Sequence, residues 1–269
     1  MFAGAEYESE TERLYAIMTR AFQAGLAGTI AGVIFVGIGG RIAMRISGAI
    51  NPEQAGAVTD SQNVVGDVTF GGTLTFIVFQ GLLIGSLLAI VWFVVSRWIP
   101  GRMAVRIPLA ACLAVLVGGS GIIDSGNVDF ALLDPAWLHV AMFLGLVALA
   151  GGTTAALDAY LDGRLPVGET PSAILGGLAG LGLTFGLLLL VGFYFVPGAA
   201  QVGPPPWPAG LALIAVAVAT CAGVAGFYRT GADGPANAAR WQRIAGHWGV
   251  VAFGALGGLH LAGEVIGVL

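Results

Sequence analysis

The stretch AGLAGTIAGVIFVGIGG, residues 24–40, contains no charged residue. Runs of roughly 20 such residues recur along the chain, and each is long enough to cross a hydrocarbon core of about 30 Å as an α-helix. Inside lipid every backbone N–H and C=O must find its partner within the protein, which leaves helices and closed barrels. The apolar–polar alternation of a barrel strand is absent. The expected fold class is therefore all-α, a polytopic transmembrane helical bundle. Composition agrees: 57% of the 269 residues are hydrophobic and 10% are charged, against about 25% charged in a soluble domain. The mean hydropathy is +0.89. So few charges could not cover a water-facing surface.

Seven spans are expected, at about 21–40, 72–95, 107–123, 136–157, 172–196, 208–228 and 245–266, within one transmembrane domain covering 1–269. Punctuation supports them. Asp134-Pro135 and Thr170-Pro171 place a capping residue before a proline at the first helical position, and Ile107-Pro108 opens the third and shortest span. Ser9-Glu10-Thr11-Glu12 fits a capping box that starts an amphipathic lead-in, residues 1–20. Glu6, Glu8, Glu10 and Glu12 stand where a signal peptide would be basic, so the first run is expected to be a retained span.

Arginine sets the orientation. With seven spans, one side holds Arg13, Arg20, Arg97, Arg102, Arg106, Arg164, Arg229, Arg240 and Arg243, and the other only Arg41 and Arg45. That asymmetry predicts a cytoplasmic N-terminus and an outside C-terminus in a bacterial cytoplasmic (inner) membrane. Trp98 and Trp241 are expected at the inner boundary, and Trp137 and Trp207 at the outer one, as aromatic belts. All the basic residues are arginine, which excludes a lysine nucleophile or a lysine-bound retinal. No basic face for nucleic acid is present.

The 44 glycines exceed what loops require. Pairs four apart, Gly28/Gly32, Gly81/Gly85, Gly176/Gly180, Gly182/Gly186, Gly254/Gly258 and Gly263/Gly267, make flat faces on which helix backbones can approach. The principal expectation is packing within the bundle. A face on span seven for a membrane protein subunit or a second copy is the alternative. Cys112 and Cys221 fall inside apolar runs and read as small hydrophobes rather than as a disulfide.

Chemistry-bearing residues are missing from span centres, where Gln80, Thr184 and Ser86 are among the few polar groups, so a central proton relay is not expected. Polar residues gather at the outer boundary. Arg41 and Arg45 share a helix face and suit either a phosphate or carboxylate ligand, or ion pairs with Asp67, Asp129 or Asp134. His260 and Glu264 share another face. With His139 they supply three N/O ligands for zinc, and His139 with His260 could hold a haem. The structural reading instead has Glu264, the one carboxylate placed within a span, hydrogen-bonded to His260, Arg41 or Arg45, closing span seven on span one. His247 is about 20 Å from His260 along the helix and belongs to no common site. DSGNVDF, residues 124–130, reads as a turn rather than a calcium loop. GPPPWP, residues 203–208, reads as a stiff outer connection.

GRIAMRI (40–46), VVGDVTFGGT (64–73), RWIPGR (97–102) and DFALLDPAW (129–137) together resemble a family of uncharacterised multi-spanning bacterial membrane proteins, over roughly residues 25–160. The resemblance implies a membrane location and no activity. Likeness to the seven-helix zinc hydrolases of membranes stops at helix count, since their histidine-rich signature is missing. The expected function is that of a non-enzymatic accessory, scaffold or lipid-interacting component. A carrier or channel for a small neutral or anionic solute is the alternative, and an outer-face metal-dependent enzyme the third.

Overall fold

The computed structural model describes residues 9–58, 64–65, 69–162 and 164, five positions between 182 and 195, and residues 207–231 and 238–269. Among them every regular element is helical, apart from one isolated antiparallel bridge between Val58 and Val64. The helices are α1 (Glu10–Ile50), α2 (Phe70–Val95), α3 (Met103–Gly118), α4 (Val128–Leu132), α5 (Ala136–Leu161), α6 (Trp207–Thr230) and α7 (Arg240–Val268). Five of these, α1, α2, α5, α6 and α7, are long and apolar enough to cross a membrane. The α3 helix is apolar but shorter, and it packs against both α5 and α7. All but those five positions of the expected span at 172–196, including the Gly176/Gly180 pair and Thr184, lie outside the described residues, as do the Thr170-Pro171 start and the 203–206 part of the proline-rich connection.

Local sequence explains the ends. Ser9 caps α1 as a capping box: its hydroxyl accepts from the Glu12 N–H and its own N–H donates to the Glu12 carboxylate, both at 3.2 Å. Pro135 sits at the N-cap of α5, one residue before the helix proper. Pro108 corrects an expectation, because α3 starts five residues earlier, at Met103, and the proline lies inside it. One i→i−4 hydrogen bond is lost there, and the helix continues through it. The turn joining α2 to α3 depends on Gly101, whose φ of 103° is accessible to glycine and costly for other residues.

The first helix is also longer than its apolar run. It continues through Arg41 and Arg45 to Ile50, 41 residues in all. At 1.5 Å per residue this is about 60 Å, twice the core of a bilayer. From Arg20 to Arg41 the same rise gives about 31 Å, so these two arginines bracket one bilayer thickness.

Helices α1 and α2 meet through small residues. A methyl group added at Gly32 would overlap the Gly85 backbone and sit 2.5 Å from the Gly81 carbonyl. One at Gly28 would sit 2.6 Å from Ala89. The contact extends to Gly37, whose added Cβ would lie 3.2 Å from Ile77 Cα. Gly32 and Gly37 are five apart, not four, and the helix accommodates this with a π-helical segment over Gly32–Gly39. A second π segment, Ile77–Gly81, lies opposite on α2. The widened turns hold Gly28, Gly32 and Gly37 on one side of α1 and leave Ile30, Ile34, Ile38, Ile42, Ile46 and Ile50 exposed on the other. In an unbroken α-helix the first and last of these isoleucines would be roughly 200° apart.

Other glycines also serve the bundle's own packing. Gly151 of α5 faces Ala110 and Ala114 of α3, and Gly254 and Gly258 of α7 face Leu113 and Leu116 of α3. Gly186 meets Ile90, and Gly267 meets Ser125. Gly263 has open space around it.

The ends of the helices sort by charge. The starts of α1, α3 and α7 and the ends of α2, α5 and α6 lie together: Arg13 donates to the Tyr228 and Arg229 carbonyls, and Arg106 to the Ser96 carbonyl at 2.6 Å. Trp137, Trp207 and Trp241 are exposed, as belt residues are. Trp98 is not. It is 1% exposed, and its indole N–H donates to the Thr220 hydroxyl at 2.7 Å, which in turn donates to the Val94 carbonyl. The free cysteines Cys112 and Cys221 are exposed.

Candidate functional site

At the arginine-poor end, the structure rearranges the expected partners. Arg41 donates to the Thr73 hydroxyl at 3.2 Å, and its guanidinium lies 5.8 Å from the Phe76 ring centroid. Among the described residues, neither Arg41 nor Arg45 forms an ion pair. The helical continuation to Ile50 sets Arg41 beside the start of α2 and leaves Arg45 exposed. Asp67 lies outside the described residues. The backbone N–H of Asp129 donates to Asn127 Oδ1 at 2.8 Å, and that of Asp134 to Asn51 Oδ1 at 2.8 Å. Only the first part of the 124–130 stretch is the expected turn, with Asp124 accepting from the Gly126 N–H; from Val128 it is the start of α4, capped by Asn127.

The proposed ligand set also separates. His139 is 1% exposed; its Nδ1–H donates to the Pro135 carbonyl at 3.1 Å, and Nε2 is buried without a partner. His260 Nε2 stands 3.8 Å from Glu264 Oε1. The other Glu264 oxygen accepts from the Ser125 N–H at 2.7 Å. Glu264 therefore ties α7 to the loop after α3, not to α1, because that loop folds back over the end of α7. Among the described residues no group of three His, Cys, Asp or Glu side chains is placed to hold a metal, so His139, His260 and Glu264 do not form one site. His247 belongs elsewhere, with its Nδ1 donating to the Trp98 carbonyl at 2.9 Å.

The most buried charges lie at the opposite end, where no site was expected. Asp158, one residue past the apolar run that marks its span, falls within α5 and is 2% exposed. Arg20 of α1, 8% exposed, donates to Asp158 Oδ2 at 2.6 Å. Gln23, one turn later, donates to the Asp158 backbone carbonyl at 2.5 Å and to Oδ1 at 3.2 Å. Glu264 is thus not the only carboxylate within a span. Arg106 of α3 is half-buried beside this pair, within reach of the charges of Asp158, Arg20 and Asp162, and stacks 5.7 Å from the Trp92 ring centroid. The buried part of the layer holds two cations and one anion, since Asp162 is exposed. Four donors there are buried without an acceptor: Thr19 Oγ1, Arg20 Nε, Arg106 Nε and Trp92 Nε1.

Against this layer stands an apolar cavity of ≈ 190 Å³, open on one side, between α1, α2, α3, α5 and Leu190. Val36, Leu88, Val91, Ala114 and Val147 contribute to its wall. Its polar liners are Trp92 and Thr154, and the Thr154 hydroxyl is already committed to the Ala150 carbonyl at 2.8 Å. Trp92 belongs to both cavity and layer. Ala110 and Thr154, which also line the cavity, are each one helical turn from Arg106 and Asp158. Gln80 takes no part and is exposed on the outside of α2. Ligand pockets with so apolar a lining and so few polar groups take apolar ligands, so this cavity suits hydrocarbon rather than an aqueous solute.

No protein-family model, curated protein or solved structure matches the chain.

Proposed function

We propose that this protein is a non-enzymatic, lipid-interacting component of a bacterial cytoplasmic membrane. It would span the bilayer seven times, with its N-terminus cytoplasmic, its C-terminus outside and its arginine-rich end inside. The observation that carries the reading is the apolar pocket, open on one side, lined by α1, α2, α3 and α5 together with Leu190 and sized for part of a hydrocarbon chain. The charge asymmetry of the helix ends supports the orientation, and the resemblance to multi-spanning bacterial membrane proteins supports the location. The cavity's apolar lining and the outward position of Gln80 weigh against an aqueous path for a solute.

Two measurements test this. Reporter fusions at Met1 and Leu269 should report opposite sides of the membrane; a common side would remove one span, with α3 the first suspect. Protein purified in detergent should retain lipid detectable by mass spectrometry. Leu88→Trp, which fills the cavity from its α2 wall, should reduce that lipid without unfolding the protein. Equal lipid in the two proteins would mean that the lipid sits on the outer surface, and the cavity reading would fail.

A further inference from the structure

We infer that the cavity's occupant is an amphiphile with an anionic head, a carboxylate or a phosphate monoester, whose head is received by Arg106 and Trp92 beside the Arg20–Asp158 pair. The inference rests on the lipid-binding reading and adds the chemistry of the head. Three of the layer's unpartnered buried groups can only donate: two guanidinium Nε–H groups and one indole N–H. What is missing is an acceptor, and buried donors are rarely left without one. The charge points the same way, because Asp158 is already engaged by Arg20 and Gln23 and leaves the Arg106 charge in excess. Arg106 still has a guanidinium edge to offer, since its recorded bond is from one Nη to the Ser96 carbonyl. A planar guanidinium fork matches carboxylate and phosphate oxygens, and bonds of this kind are the stronger, charge-assisted ones.

Geometry supplies the tail. The same Trp92 that lies under Arg106 forms part of the cavity wall, so a head held at Arg106 delivers its chain into the apolar space. A freely soluble anion would satisfy the donors and leave the cavity empty. An uncharged lipid would fill the cavity and leave the donors unmatched. An anionic amphiphile does both, and the arginine-rich end of the bundle is where a lipid head would lie.

The test uses the full chain in a neutral detergent and three probes of one chain length: octanoate, octyl phosphate and octanol. Octanoate or octyl phosphate should bind saturably and about tenfold more tightly than octanol, the gain expected of one charge-assisted hydrogen bond. Whichever of the two binds tighter identifies the head. Arg106→Gln should remove that preference and leave octanol binding unchanged, and Trp92→Phe, which also reshapes the wall, should weaken the anions more than octanol. Arg240→Gln, at an exposed arginine of the same end, should change nothing. Octanol binding as tightly as the anions, with Leu88→Trp abolishing all three, would overturn the anionic head and keep the cavity reading. Absence of saturable binding by any probe would overturn both. A preference for anions that Arg240→Gln removes and Arg106→Gln does not would place the head at the surface, against the inference.

Discussion

Replacing Asp158 with alanine is expected to be among the most damaging single changes in the bundle. The substitution removes the acceptor of the Arg20 2.6 Å bond and of one Gln23 bond, while the Gln23 bond to the backbone carbonyl survives. Arg20 is 8% exposed and would keep its charge with no counterion. Breaking a buried pair from one side costs about 3–5 kcal/mol. A neutral hydrogen bond between membrane helices is worth only about 0.6 kcal/mol, so the orphaned charge decides the total and the lost amide bond does not. Because Arg20 lies near one boundary of the bilayer and can reach toward water, the lower end, about 3 kcal/mol, is the expected value. Gln23→Leu removes two bonds, one of them to the carboxylate, and should cost about 2 kcal/mol. Replacing both partners, as Arg20→Met with Asp158→Leu, removes charge and counter-charge together and should return to within about 1 kcal/mol of the parent. The assay is reversible unfolding in mixed micelles by titration with a denaturing detergent, followed by circular dichroism, with the coupling taken from the double-mutant cycle. If Asp158→Ala falls within about 0.5 kcal/mol of the parent, or the double variant loses the sum of the singles, the pair does not hold α1 to α5.

Three further outcomes follow from the geometry. Gly32→Val should destabilise by about 1–3 kcal/mol through overpacking against Gly85, whereas Gly25→Ala, with nothing within 4 Å of an added methyl, should stabilise by about 0.5–1 kcal/mol; paired thermal melts in one detergent check both. Glu264→Gln keeps an oxygen for the Ser125 N–H but loses the charge assistance, and should cost about 1 kcal/mol without releasing metal; stoichiometric zinc in the parent, lost in the variant, would reverse that assignment. Trp98→Phe deletes the bond to Thr220 and should cost about 1 kcal/mol, read as a lower midpoint in the same unfolding titration.

Much of the scaffold is legible in the sequence because lipid imposes a length and an apolar composition on every crossing helix. The small faces at Gly28/Gly32 and Gly81/Gly85 could be read for the same reason: they have to face something, and they face each other. The extents of the helices are harder. Arg41 and Arg45 end an apolar run, but nothing in GGRIAMRI stops a helix, so α1 continues to Ile50. Pro108 reads as a start because prolines favour first turns, while the residues before it, Met103 to Ile107, are good enough helix formers to extend α3 backwards. The buried charge layer escapes notice because its members are scattered. Asp158 stands one residue past an apolar run and resembles a loop carboxylate, and Arg20 reads as one more inner arginine. Only the packing of α1 on α5 makes them a pair. Glu264 is the converse case, since its strongest partner is a backbone N–H, which every residue carries and no sequence pattern advertises.

The paired π segments make α1 a shaft with a fixed phase slip. Upstream of Gly32 and downstream of Gly39 the helix has its ordinary pitch, and the surplus residue between them sets the azimuth of one half relative to the other. Deleting one residue from 32–39 would remove that surplus: the widened turns could tighten to ordinary α-helix, the shaft would shorten by about 1.5 Å, and the last turns of α1 would keep most of their azimuth. Inserting one residue just beyond Gly39, where no widened turn absorbs it, would turn everything beyond by about 100°. Arg41 would leave Thr73 and Phe76, and Ser47 would leave the interior. Substitutions in this stretch act on spacing between helices; such an insertion acts as a key turned in a lock, and every contact made by the last turns of α1 is indexed to it.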